Sequence, residues 1–238
     1  MTPISRRTFL TAVGAMALGG CATRPLGTPD SSSVPTPEWR VGNVWTYSRI
    51  DGYTKLNAGS PVTRRVAEVG APGVRVTDTT ASNAFINDAL WAHPNALLSG
   101  TLSEYGPITG RFDPPLRYYD FPLVSDKRWN QRLYRFNQGG FRYFMTLDAW
   151  VEGWETMPVG GRAVRVIAVR REFMLGLLPP SLGLGVGNAY RSDTEWYSPE
   201  LGSFVFLNQM ERYQPSRSLL TGLAPGNWFV WQMEKAGE

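Results

Sequence analysis

Between Arg142 and Glu152 the chain alternates residue by residue, and that alternation limits its fold more than any other feature. Tyr143, Met145, Leu147, Ala149 and Val151 fall on one face, while Arg142, Thr146, Asp148 and Glu152 fall on the other. A period of two belongs to an extended strand with one face buried. Segments of similar composition stand on both sides, giving Gln131–Phe136, Phe141–Glu155, Arg162–Phe173, Tyr190–Tyr197 and Ser203–Tyr213 as five strands in a row. Asn137-Gln138-Gly139-Gly140, Pro158-Val159-Gly160-Gly161 and Pro199-Glu200-Leu201-Gly202 supply turn chemistry between them. Strands joined by tight turns pair antiparallel with their chain neighbours. The expected fold is therefore all-β with minor α: a curved antiparallel meander sheet, forming a half-barrel or a partly closed barrel.

The first half is less regular. Val44–Ile50, Thr63–Val69 and Val74–Thr80 have strand composition, and Trp228–Lys235 adds a last strand. Ala84–Leu98 is the best candidate for a short helix, ended early by His93-Pro94. Pro107–Pro122 carries four prolines and reads as an irregular crossing segment. Nine Trp, ten Tyr and eleven Phe supply the large apolar side chains that a core without disulfides requires.

Disulfides are excluded because the single cysteine, Cys21, ends an N-terminal signal. Arg6 and Arg7 form a positive n-region, Phe9 to Gly20 is a short apolar run, and small residues precede the cysteine. Leu18-Gly19-Gly20-Cys21 resembles the lipobox of bacterial lipoproteins, and the resemblance implies lipidation of Cys21 as the mature N-terminus. Ser5-Arg6-Arg7-Thr8-Phe9-Leu10 resembles the twin-arginine export consensus, which implies export of a folded protein. A Sec lipoprotein signal that carries two arginines is the alternative. Ala22 after the cysteine implies sorting to the outer membrane, on its periplasmic face. Residues 1–20 are thus expected to be a signal peptide. Residues 21–38, rich in Thr, Pro and Ser, are expected to be a lipidated flexible tether, and 39–238 a single β-rich domain. The Gly42-x-x-Trp45-x-Tyr47 opening and Trp196–Gly202 are similar to segments of poorly characterised β-rich exported bacterial proteins, a resemblance that bears on fold and compartment only.

Losing the signal removes two arginines and no acid, so the net charge of +4 falls to +2. The remaining arginines are scattered, without the basic stripe that a nucleic-acid partner needs. His93 is the only histidine, so a Ser-His-Asp or Cys-His arrangement would have to be built on it, and a zinc site of the usual kind lacks ligands. Neither a calcium loop nor a phosphate loop occurs; Gly183–Gly187 is glycine-rich but lacks the following Lys-Ser/Thr. No catalytic residue, metal or cofactor is assigned. Asp193 and Glu195 lie two apart on a strand, about 7 Å, a separation that suits an inverting glycosidase. Arg191 shares their face, and the row Arg-Asp-Glu reads as a solvated outer face with alternating partners. Asp148 and Glu152 are about 13 Å apart, too far for joint acid–base work.

The most unusual segment is the apolar, uncharged loop 174–187 with Leu175, Leu177, Leu178 and Leu182. It either caps the sheet as core or presents an apolar surface to a lipid, ligand or partner. Trp150 and Trp154 fall on the otherwise polar face of their strand and could line a groove for a sugar or an acyl chain. The leading expectation is a non-catalytic outer-membrane lipoprotein, held by its N-terminal lipid, that binds an apolar or amphipathic molecule in its curved sheet. One alternative is an envelope assembly or scaffold protein docking a protein partner. Another is a carboxylate-dependent polysaccharide hydrolase.

Overall fold

The computed structural model describes residues 30–82, 85–102, 109–176, 188–214 and 223–237. They form twelve strands: β1 (Val44–Asp51), β2 (Val62–Val69), β3 (Val74–Thr80), β4 (Phe85–His93), β5 (Ala96–Thr101), β6 (Thr109–Arg117), β7 (Arg128–Phe136), β8 (Arg142–Val159), β9 (Arg162–Leu175), β10 (Ala189–Ser198), β11 (Ser203–Tyr213) and β12 (Ala224–Gly237). Each strand pairs antiparallel with its chain neighbours, and β1 pairs with β12 from Val44↔Gly237 to Asp51↔Phe229. The meander is thus a closed barrel. Closure satisfies the ladder groups that an open sheet leaves unpaired at its edges.

The alternation of β8 is realised as expected, with Met145, Leu147, Ala149 and Val151 buried, while Arg142 and Asp148 are exposed. They pack with Leu116, Leu133, Val169 and Phe173 in one apolar cluster. A second cluster gathers Tyr47, Val66, Val76, Phe204 and Met233.

Two expectations are corrected. Ala84–Leu98 is not a helix: its described residues form β4 and β5, turning at Pro94-Asn95. This window has no strong period of its own, so pairing with β3 on one side and β6 on the other decides its conformation. Cross-strand ion pairing adds to this, with Arg75 Nε donating to Asp88 Oδ1 at 2.8 Å. The proline-rich stretch is irregular only in part, because Thr109–Arg117 is β6. Its pairing with β5 runs through Thr109–Arg111 and resumes at Leu116, leaving Pro114 and Pro115 unpaired, which suits residues that have no N–H to give.

Residues 118–127, between β6 and β7, turn inward, burying Tyr119, Phe121 and Leu123. Leu123 forms a two-way backbone bridge with Val34 at 2.8 and 2.9 Å, and Val34 is 1% exposed. The segment from residue 30 to β1 therefore lies against this end of the barrel, where Asp30 also ion-pairs with Arg165.

Candidate functional site: the barrel interior

Eight strands make a barrel whose side chains just fill it, and width grows with strand number. Twelve strands leave space that ordinary inward side chains do not close. Part of it is taken by the inturned segment 118–123 and by long polar residues. The rest is a cavity of about 260 Å³.

β10 builds one wall. Its inward row is Ala189, Arg191, Asp193, Glu195 and Tyr197, all buried, while Tyr190, Ser192, Thr194 and Trp196 are half-buried on the outside. The expectation of a solvated Arg-Asp-Glu face is overturned, since Asp193 and Glu195 are each 1% exposed. Alternation correctly put the three on one face but could not say which way that face points. The interior accepts them because every charge is matched. Arg191 forks onto Asp193, with Nε to Oδ1 at 2.8 Å and Nη2 to Oδ2 at 2.7 Å. Arg171 on β9 stands opposite Asp193 in the ladder and reaches diagonally to Glu195 Oε2 at 3.0 Å.

The inturned segment completes this network. Tyr118 donates its hydroxyl to Asp193 Oδ2 at 3.1 Å, and Tyr119 donates to Glu195 Oε1 at 2.6 Å. Arg171 Nε donates to the Tyr118 carbonyl at 2.8 Å, and its guanidinium lies 4.0 Å from the centre of the Tyr118 ring. Burial works against the charges of Arg171 and Arg191, but Glu195 and Asp193 outweigh it, so both guanidinium pKa values rise above their ordinary range. Burial first, and then the same carboxylates, push the phenols of Tyr118 and Tyr119 upward as well. All four carboxylate oxygens thus accept hydrogen bonds from arginine or tyrosine. A glycosidase pair acts through carboxyl oxygens that meet substrate, and here each of the four already has a partner within the protein.

The opposite wall is a row across four strands. Trp45, Arg64, Asp78 and Asn87 are successive register partners on β1, β2, β3 and β4. Arg64 forks onto Asp78 through Nε and Nη2 at 2.7 and 2.8 Å, and Asn87 donates to Asp78 at 3.4 Å. Trp39 and Trp45 donate their indole N–H groups to the carbonyls of Gly202 and Leu201, which leaves their rings as apolar wall. Both walls line the one cavity, together with Trp91, Phe204 and Gln209.

The residues singled out in the sequence are not gathered here. Leu175 is 5% exposed within the core, facing Met145 and Ala189 in the ladders. Leu177, Leu178 and Leu182 lie outside the described residues, as do Arg6, Arg7 and Cys21. A register shift between Val151 and Gly153 separates the two tryptophans. Trp150 stays half-exposed outside and donates to Glu152 at 3.0 Å, whereas Trp154 is turned into the core opposite Ile167. His93 is exposed at a turn, where its Nδ1 accepts from the Asn95 backbone. Arg64, Asp78, Tyr118 and Tyr119 went unrecognised. A signal existed for the first two: each continues an apolar row of period two, Arg64 between Val62 and Val66, and Asp78 after Val74 and Val76.

No known family model matches the chain. No curated protein matches it either. Among solved structures it is similar to the hypothetical lipoprotein YmcC from Escherichia coli K12, at 12% identity over 99% of each chain with a TM-score of 0.43. It is also similar to a protein described as a lipoprotein from Parabacteroides distasonis (13% identity, 87% of this chain and 100% of that one, TM-score 0.44). A third is a protein described as exported, with a YmcC-like fold, from Bacteroides fragilis (14% identity, 87% and 100% coverage, TM-score 0.49). These neighbours are lipoproteins and exported proteins by description. None superposes closely enough to carry a role across to this chain.

Proposed function

We propose that this protein is an exported lipoprotein, non-catalytic, anchored through Cys21 at the periplasmic face of the outer membrane, that holds a small amphipathic molecule inside its barrel. The supporting observation is the cavity: about 260 Å³, with aromatic rings, the Arg64–Asp78 pair and the neutralised Arg191 in its wall. Ligand sites are typically concave, mostly apolar and set with a few fixed polar groups. The cavity is smaller than the roughly 300–1,000 Å³ of drug-sized sites, so the occupant is compact.

Native mass spectrometry of the protein purified from its own membranes tests the reading. A co-purified small molecule, absent from an Ala89→Phe variant whose new ring fills the cavity, is the expected result. No adduct, and no change in tryptophan fluorescence with any small amphipathic probe, would refute it. The anchor is tested separately: Cys21→Ala should release the protein from membranes and abolish palmitate labelling, and replacement of Arg6 and Arg7 by lysine should block export only on the twin-arginine route.

The docking alternative has its own support. Phe141, Phe144 and Tyr134 are exposed at the β7–β8 hairpin, with the rings of Tyr134 and Phe144 6.0 Å apart. A partner would have to use such a surface, because barrel closure leaves no free edge strand to augment among the described residues. In-cell crosslinking from Phe141 that yields one dominant protein adduct would favour this reading.

A further inference from the structure

The cavity's polar groups specify a ligand more narrowly than its rings do. Gln209 on β11 is 5% exposed, lines the cavity, and makes no side-chain hydrogen bond within the described protein. It stands opposite Asp193 in the ladder, whose oxygens are already taken by Arg191 and Tyr118. An amide with two donors and an acceptor, buried and unclaimed, is complete only when something in the cavity meets it. Across the cavity, Arg64 spends Nε and Nη2 on Asp78, and its remaining Nη1 edge has no hydrogen-bond partner among the described residues. A long acyl chain would strand both groups against hydrocarbon, the costly way to bury them.

Charge narrows the choice further. Of the charged lining residues, Arg64 and Asp78 pair with each other, Arg191 pairs with Asp193 behind the wall, and Glu195 is held by Arg171, also behind it. The wall is therefore balanced, and an ionic ligand would find no unmatched opposite charge. What remains is a set of planar hydrogen-bonding groups, Arg64, Asn87 and Gln209, facing a space walled by the rings of Trp39, Trp45 and Trp91. The first set suits a rim of hydroxyls, and flat rings suit the C–H faces between them.

We infer that the ligand is a neutral sugar, bound as a single ring or as the end residue of a short glycan, with Gln209 and Arg64 hydrogen-bonding its hydroxyls. This rests on the reading that the cavity is a binding site and replaces its broad ligand class with a specific one. Gln209 is the group that can be tested cleanly, because its removal breaks no side-chain hydrogen bond among the described residues.

The experiment titrates full-length lipidated protein, in a sugar-free detergent, and follows tryptophan fluorescence and ligand-observed NMR. The probes are glucose, galactose, mannose and N-acetylglucosamine, each as monosaccharide and as a trisaccharide, with dodecanoate as the acyl probe. The expected result is saturable binding of at least one sugar, weakened about tenfold or more by Gln209→Leu, with the thermal midpoint of that variant unchanged or raised. A trisaccharide that binds at least as well as its monosaccharide identifies a glycan end, and the reverse identifies a free sugar. Dodecanoate binding with no sugar binding overturns the sugar assignment and leaves the binding-site reading standing. Failure of every probe overturns both. Sugar binding that Gln209→Leu leaves untouched places the sugar elsewhere and overturns the assignment.

Discussion

Replacing Glu195 by glutamine tests whether matched charge is what lets the barrel interior hold arginine. Arg171 is fully buried, and Glu195 is its only carboxylate ion-pair partner among the described residues. With the two charge centres about 4 Å apart, an effective dielectric near 20 makes their attraction roughly 4 kcal/mol. Glutamine keeps the shape and an acceptor for Tyr119, while its amide nitrogen replaces the oxygen that accepts from Arg171, so the substitution removes the charge and that one hydrogen bond. Removing one partner of a buried pair costs about 3–5 kcal/mol because the other is left uncompensated. For a domain of this size that lowers the thermal midpoint by about 6–20 °C. Urea unfolding followed by tryptophan fluorescence should show a lower midpoint at unchanged slope. Arg171→Met combined with Glu195→Gln should recover part of the loss, with a coupling of about 2–3 kcal/mol in the double-mutant cycle. Asp148→Asn, exposed on β8, should stay within about 0.5 kcal/mol of wild type. A Glu195→Gln loss below about 1 kcal/mol, or additive single and double variants, would refute the reasoning.

Alkali should unfold the protein cooperatively. Burial raises the phenol pKa values of Tyr47, Tyr118, Tyr119 and Tyr197 above their ordinary 10, so above that pH the folded chain keeps protons that the unfolded chain has lost. The stability is whole below about pH 10 and then falls by about 1.4 kcal/mol per pH unit for each tyrosine. Phenolate absorbance of these four should appear together with loss of the strand circular dichroism signal, and full phenolate titration in a folded barrel would contradict this. Gly73→Ala should cost about 2 kcal/mol or more in urea midpoint, because a Cβ there would lie 1.9 Å from the Trp91 carbonyl oxygen. Val34→Ala should cost about 1–3 kcal/mol if the strap of residues 30–38 is integral to the fold, as its buried bridge to Leu123 requires; an unchanged midpoint would show that the strap is dispensable.

The strands were readable wherever one face met the core and the other met water. β3 and β11 coincide with their expected bounds, and β8 differs only at its ends. Closure was not readable, since the pairing of β1 with β12 joins residues nearly the whole chain apart and leaves no local mark. The helix expected near Ala84 failed for a related reason: a short mixed window takes its conformation from neighbours that sequence does not display. The site was hidden by a sound rule applied on the wrong side of the sheet. Charged residues at alternate positions normally face water, and on β10 they face one another, Arg171 and two tyrosines. Arg64, Asp78 and Arg171, each out of place in an apolar row, betrayed a polar interior.

Stability alone does not account for that interior. Replacing a buried ion pair by apolar side chains of equal volume is often neutral or stabilising, so Arg171, Glu195, Arg191 and Asp193 are not needed to keep twelve strands closed. What they do hold is the segment that the barrel has drawn inside. Tyr118 is fixed by Asp193 at its hydroxyl and by Arg171 at its carbonyl, and Tyr119 by Glu195. Apolar substitutes would let that segment slide and the walls collapse toward each other, since hydrophobic contact has no preferred direction. Directional bonds hold the tyrosines at a set position, and the space beyond them stays open. On this account a variant with all four charged residues made apolar should be as stable as the wild type or more so, and yet have lost its cavity. A stable variant that retains the cavity would show that the shape of the barrel, and not the ionic clamp, keeps it open.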